Sequence, residues 1–187
     1  MAIPITELYN VPHEMPFGIV IVLFPFFTGL SAGSFVMSTL SNVFGLKKYK
    51  PIARISVTFA VIFLVLAVLT LFGDLTRPER FYIGMMTFVY TSMFSLAGYL
   101  INGYLFLSII YGYFIFNDNM KMAKVIGTIA IPIAIAVHAN TGFVFGLNYG
   151  TPLWFTAIMP VIFVVSAILS GLAWLELVLI VRNRFVA

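Results

Sequence analysis

Long apolar runs alternate with a few short charged stretches along this chain. Residues 15–46, 55–73, 81–117 and 125–175 carry no Asp, Glu, Lys or Arg. A helix crosses the hydrocarbon core of a bilayer with about 20 predominantly apolar residues. The first two runs therefore hold one span each. The third holds a span plus a shorter segment, and the fourth holds two spans with a turn. The predicted spans are 17–44, 52–72, 92–116, 123–147 and 154–180, in a single transmembrane domain covering 1–187. The expected fold class is all-α, a polytopic integral membrane bundle of about five transmembrane helices.

Local signals mark the joints. Gly29 and Gly33 stand four apart in the first span with Ala32 and Ser34 beside them, a small-residue surface that lets another helix approach. Lys47, Lys48, Lys50 and Pro51 make a basic turn. The second span runs into Asp74-Leu75-Thr76-Arg77-Pro78-Glu79-Arg80, where Pro78 is enough to end a helix. The aromatic, Met-rich stretch 81–91 is expected to lie in the interface. Asn117 to Lys124 reads as a polar turn, and Trp154 opens the fifth span at an aromatic-belt position.

Composition removes the soluble alternative. Of 187 residues, 62% are hydrophobic and 9% charged, and mean hydropathy is +1.11. Soluble domains carry roughly 25% charged residues. There is no cysteine, which excludes disulfides, thiolate-held iron–sulfur clusters and a Cys nucleophile. No cleavable signal is expected at Met1–Leu8, which is not basic, so the first helix is expected to direct insertion.

Charge sets the expected orientation. Lys47, Lys48, Lys50, Arg54, Lys121, Lys124, Arg182 and Arg184, eight of the ten cations, fall on one side of the predicted topology. Only Arg77 and Arg80 fall on the other. The positive-inside rule then places the C-terminus in the cytoplasm and the N-terminus outside, in the cell membrane. The net charge of +4 reflects this topology and gives no reason to expect nucleic-acid binding.

Most polar candidates gather on the external side: Asn10, His13 and Glu14 before the first span, and Asp74, Arg77, Glu79 and Arg80 after the second. His138 sits nine residues before Leu147, about 14 Å below the external end at 1.5 Å per residue. A cleft joining these groups would offer a histidine, a carboxylate and apolar walls, which suits a quinone headgroup. Oxidising a quinol removes two electrons and two protons, so a base must reach a phenolic oxygen. Histidine titrates near neutral pH, and an Asp paired with Arg is held ionised. Structural readings stand beside these. His13 is also compatible with a solvated surface residue, Asp74 and Arg77 with a helix-terminal ion pair, and His138 with an interhelical bridge. Asn102 reads as a helix–helix hydrogen bond, and Glu176 as the partner of a nearby Lys or Arg or as part of a proton path. Haem is not expected, because the only two histidines, His13 and His138, lie at different depths.

The same residues carry a resemblance. The run from Asn10 through His13-Glu14 to Gly18, followed by Gly29 to Gly33, is similar to the opening of the polysulfide reductase membrane-subunit, or NrfD-like, family. Asp74-Leu75-Thr76-Arg77-Pro78 resembles that family's Asp-Leu-Gly-Arg-Pro segment, with Thr76 in place of Gly, and Ser92-Met93 leading to Gly98 resembles the start of its third helix. His138-Ala139-Asn140-Thr141-Gly142, Pro152-Leu153-Trp154 and Ser170-Gly171 continue the likeness over nearly the whole chain.

The resemblance implies a quinone-reactive membrane anchor of a respiratory oxidoreductase. It implies menaquinone or another quinone as cofactor, with no haem or iron–sulfur cluster in this chain. Implied partners are a ferredoxin-like iron–sulfur subunit on the external face and a molybdenum-type or other catalytic subunit. Asn10 and His13 match the family's quinone-pocket positions. Glu14, Asp74, Arg77 and His138 match polar positions of the pocket or of a proton route. In these roles His13 exchanges the quinone proton, Asn10 orients the headgroup, and Asp74 with Arg77 polarises and drains the site. The family has eight or more spans against five expected here, which leaves three readings open: the remaining helices on another membrane polypeptide, a fragment, or a short variant. Two other classes compete. One is a transporter or channel using Asn102, His138, Glu176 and proline-broken fourth and fifth helices; the other is a purely structural anchor.

Overall fold

The computed structural model describes residues 19–46, 49–74, 92–147 and 155–186. Five helices account for most of them: α1 (Ile19–Asn42), α2 (Lys50–Asp74), α3 (Met93–Phe116), α4 (Met120–Gly146) and α5 (Met159–Val186). No strand occurs among the described residues. Each helix is long and apolar enough to cross a membrane. The shortest has 24 residues, which at 1.5 Å per residue is about 36 Å, more than a hydrocarbon core of about 30 Å.

Several helix ends depart from expectation for local reasons. α4 starts at Met120 because the side chain of Asn119 accepts the backbone N–H of Met122 and caps the first turn. Ser92 does the same for α3 through the N–H of Ser95. The chain turns from α3 into α4 through Asp118, whose φ of 55° is left-handed, a conformation Asp tolerates better than most residues. α5 begins only at Met159, after a turn, and runs on to Val186. The proline-broken helices expected from sequence are not seen. Pro132 lies inside a continuous α4, and Pro160 occupies the first turn of α5, where no backbone donor is lost.

The helices alternate in direction. α1 packs on α2, α5 and α4, α3 packs on α4 and α2, and α4 packs on α5. Ser31 reaches Ala60, and Ser38 reaches Ala53, so α1 and α2 are antiparallel. Ser31 pairs with Tyr104 and Ser38 with Tyr111, so α3 runs with α1.

Lipid tails are as apolar as Leu, so close packing and hydrogen bonds hold such helices together. Both are present. Ser31 Oγ donates to Ala60 O at 2.6 Å and lies 3.1 Å from Tyr104 Oη. One heptad on, Ser38 Oγ donates to Ala53 O at 2.8 Å, and Tyr111 Oη donates to Ser38 O at 3.0 Å. Asn42 Nδ2 donates to Tyr111 Oη at 3.2 Å. Phe35 fills the space between, with ring centroids 5.5 Å from Tyr104 and 5.0 Å from Tyr111. All three rings are fully buried. On the other side of α1, Gly33 meets Gly171 and Ala167 of α5 backbone to backbone, leaving no room for a Cβ at Gly33.

Candidate functional site

The α1–α2 pairing fixes which groups share an end of the bundle. The Ser31–Ala60 and Ser38–Ala53 pairs lie in one antiparallel register. Continued outward, that register sets Ile19 level with Phe72, so the start of α1 and the end of α2 lie at the same end. Asp74 is the last residue of α2. Asn10, His13, Glu14 and Arg77 lie outside the described residues, as do Glu79 and Arg80.

His138 is described, and it lies in the same half. It sits on α4 eight residues before Gly146, about 12 Å along the axis. Only 4% of it is exposed. Its ring lies against Gly29 of α1, where an added Cβ would stand 3.2 Å from both Cε1 and Nε2. Glycine at this position is therefore what admits the imidazole. Phe163 of α5 lies on another side at 5.9 Å, and Phe163 stacks on Phe145 at 5.5 Å. His138 Nδ1 has no hydrogen-bond partner among the described residues. The fully satisfied interhelical bridge is therefore not observed. A buried ring nitrogen without a partner is costly, and it invites water or a ligand.

Two neighbours of His138 shape this end. Asn140 Nδ2 donates to Met93 O at 3.1 Å, tying α4 to the start of α3. Gly142 and Gly146 let the first turn of α5 close on α4, with Pro160 and Met159 occupying the space of their missing side chains.

Two sequence expectations are corrected. Asn102 does not bridge helices through its amide nitrogen: Nδ2 donates to Gly98 O, one turn back in α3, at 2.7 Å. Glu176 is exposed on α5 and makes no ion pair among the described residues. Conversely, sequence reasoning misses the Ser31–Tyr104 and Ser38–Tyr111 pairs. The signal that could find them is the matching seven-residue spacing in α1 and α3.

A cavity of about 550 Å³ opens at the opposite end, lined by Asn42, Lys50, Arg54 and Asp118 among others. Arg54 Nη2 donates to both carboxylate oxygens of Asp118 at 2.8 and 2.7 Å on its exposed wall. Neither Asp74 nor His138, the two described residues among those expected to bind quinone, lines it.

A bundle of five bilayer-length helices with a buried histidine at the seam of α1, α4 and α5 defines a polytopic helical membrane protein. The chain belongs to the polysulphide reductase NrfD family, whose model matches residues 7–187. The family resemblance read from the His13, Asp74 and His138 segments is thus borne out. Over 178 residues the chain is 34% identical to the Hdr-like menaquinol oxidoreductase integral membrane subunit of Archaeoglobus fulgidus, covering 95% of this chain and 45% of that one. It is 30% identical to the C subunit of selenate reductase from Mesobacillus selenatarsenatis, over 83% of this chain and 46% of the relative. It is 24% identical to the C chain of polysulfide reductase from Wolinella succinogenes, over 82% and 55%. The chain spans about half the length of the curated relatives it matches.

Proposed function

We propose that this chain is the quinone-reactive membrane anchor of a respiratory oxidoreductase. In this reading it exchanges electrons between menaquinol, or a related quinone, and an iron–sulfur subunit docked on its external face. That subunit passes them to a molybdenum-type or other catalytic subunit. The observation that carries the reading is the match over 95% of the chain to a protein named as a menaquinol oxidoreductase membrane subunit. Membership of the NrfD family supports it.

The described residues fit an aromatic, hydrogen-bonding headgroup. His138 holds an Nδ1 in a buried position with no hydrogen-bond partner among the described residues, and the Phe163 ring stands next to it, with Phe145 stacked on Phe163. A quinol supplies two electrons and two protons when it is bound and oxidised. Within this proposal His13 accepts a proton from a phenolic oxygen and Asn10 orients the headgroup by a hydrogen bond. Glu14 lines the same rim. Asp74, held ionised by Arg77, carries the proton outward. His138 lies deeper, where its imidazole is a second hydrogen-bonding group at the inner limit of the pocket. In this reading the chain sits in the cell membrane with its N-terminus outside, an orientation that the distribution of cations supports.

The test is His13→Ala in the assembled complex. General acid–base groups contribute about 10²–10⁴-fold to rate. Quinol-linked turnover should fall by about that factor, while turnover with an artificial electron donor at the catalytic subunit stays unchanged. Unaltered quinol-linked turnover would remove His13 from the mechanism. Normal electron transfer after replacing His13, Asp74 and His138 together would leave a purely structural anchor.

A further inference from the structure

The cavity at the cationic end has no part in the quinone reading. Its walls come from the C-terminal ends of α1 and α3 and from the starts of α2 and α4. Every residue that lines it lies within four positions of the end of a bilayer-length segment. Four residues of helix are about 6 Å, so the cavity stands where hydrocarbon gives way to headgroups. Whichever side of the membrane this end faces, the cavity is level with the phosphates of one leaflet.

Its chemistry is lopsided. Two cations, Lys50 and Arg54, line it against one carboxylate, Asp118. Arg54 gives only Nη2 to Asp118, and its Nε and Nη1 make no hydrogen bond among the described residues. Lys50 has neither an ion pair nor a side-chain hydrogen bond among the described residues. Cationic donors therefore exceed the acceptors beside them, and such donors suit phosphate oxygens. Ile115 and Met120 add apolar wall. The volume of about 550 Å³ lies in the range of about 300–1,000 Å³ that holds a small organic molecule. A lone phosphate is small for it, whereas a phosphate joined to glycerol and the tops of two acyl chains is not. Phe44 and Phe116, exposed at the same end, offer apolar surface to those chains. Insertion explains why cations gather at this end, but not why two of them wall one cavity.

We propose that this cavity binds the phosphate headgroup of an anionic phospholipid, with Lys50 and Arg54 donating to the phosphate oxygens. Basic pockets between transmembrane helices hold lipid headgroups in this way. The proposal goes beyond the quinone reading and does not depend on it.

The experiment titrates the full chain, purified in a neutral detergent, with phosphatidylglycerol, and reads bound lipid by native mass spectrometry. Ionic strength is held at about 0.15 M, where exposed charges more than about 8 Å apart are screened. Phosphatidylglycerol should bind more tightly than phosphatidylcholine. A cation facing anionic lipid contributes about fivefold in affinity, so Lys50→Gln and Arg54→Gln should each raise Kd by about that factor. Asp118→Asn removes the opposing charge and should lower Kd; asparagine tolerates the left-handed backbone there. Arg182 stands at the same end, because α5 runs parallel to α1, but it does not line the cavity. Arg182→Gln should leave Kd unchanged. If Arg54→Gln fails to fold, Lys50→Gln and Asp118→Asn, both at exposed positions, carry the test. Equal affinity for the two lipids, or equal losses from Arg182→Gln and Lys50→Gln, would reduce the effect to diffuse charge and overturn the proposal. Displacement of the lipid by millimolar inorganic phosphate would make this a site for the free anion and overturn it as well.

Discussion

At Gly29 an added methyl group would stand 3.2 Å from two atoms of His138, closer than such contacts normally come. The imidazole is walled by Phe163 and has little room to retreat. Gly29→Ala should therefore destabilise the protein through this one contact. In a His138→Ala background the same change should be nearly neutral. Residues in contact couple by about 0.5–3 kcal/mol in double-mutant cycles, and unfolding of the purified protein in mixed micelles measures the term. Strictly additive effects would mean that Gly29 does not shape the histidine site. The two buried tyrosines allow a graded comparison. Tyr111 Oη contacts Ser38 O, Ser38 Oγ and Asn42 Nδ2, whereas Tyr104 Oη contacts only Ser31 Oγ among the described residues. Interhelical hydrogen bonds in membranes are worth about 0.6 kcal/mol on average and about 1.7 at most. Tyr111→Phe should fall near the upper figure and Tyr104→Phe near the average. The reverse order in the same unfolding assay would contradict this account of the seam.

Between helices the decisive groups are those that are missing. A Cβ at Gly33 would run into the backbone of Ala167 and Gly171, and one at Gly171 into the backbone of Gly33 and Ser34. Backbone cannot turn aside as a side chain can, so Gly33→Ala and Gly171→Ala should each cost about 1–3 kcal/mol, as overpacking does. At Gly98 and Gly103 of α3 an added methyl group would meet nothing within 4 Å among the described residues. Alanine there removes the helix penalty of glycine, about 0.5–1 kcal/mol, and should stabilise α3. Thermal midpoints of the four variants in detergent test the contrast. Equal effects at all four positions would show that the α1–α5 contact does not depend on close approach. This is also where the sequence stops being legible. Five helices follow directly from charge-free runs such as 55–73 and 125–175, because hydrophobic length is what a bilayer requires. The spacing of Gly29 and Gly33 marks a packing surface, yet nothing in it names Gly171 as the partner. Asn102 reads as an interhelical bond because an amide in lipid must be satisfied, but its own backbone at Gly98 satisfies it equally well. Of the site, the depth of His138 is readable from its distance to the helix end. Its contact with Gly29 is not, since that depends on how two distant segments cross.

At the scale of the whole molecule, charge makes the firmest prediction. The end formed by the α1–α2 and α3–α4 turns holds Lys50, Arg54, Lys121 and Lys124 among the described residues. The Arg54–Asp118 pair there is 49% and 68% exposed. Exposed pairs are worth about 0–1 kcal/mol, so this end owes its cations to insertion rather than to stability. His138 lies toward the other end, where α4 meets the first turn of α5. The chain has no cysteine, so any introduced thiol is unique. Phe44→Cys places one at the cationic end and Ile158→Cys one at the histidine end; both positions are 60% exposed. In intact cells a membrane-impermeant maleimide should label Ile158→Cys, and it should reach Phe44→Cys only after permeabilisation. In the proposed quinone role electrons pass to a cluster only over a short distance, so that reading docks the iron–sulfur partner on the face nearer the histidine. The opposite labelling pattern would leave the quinone chemistry possible but move that partner, and the complex it belongs to, to the cytoplasmic side.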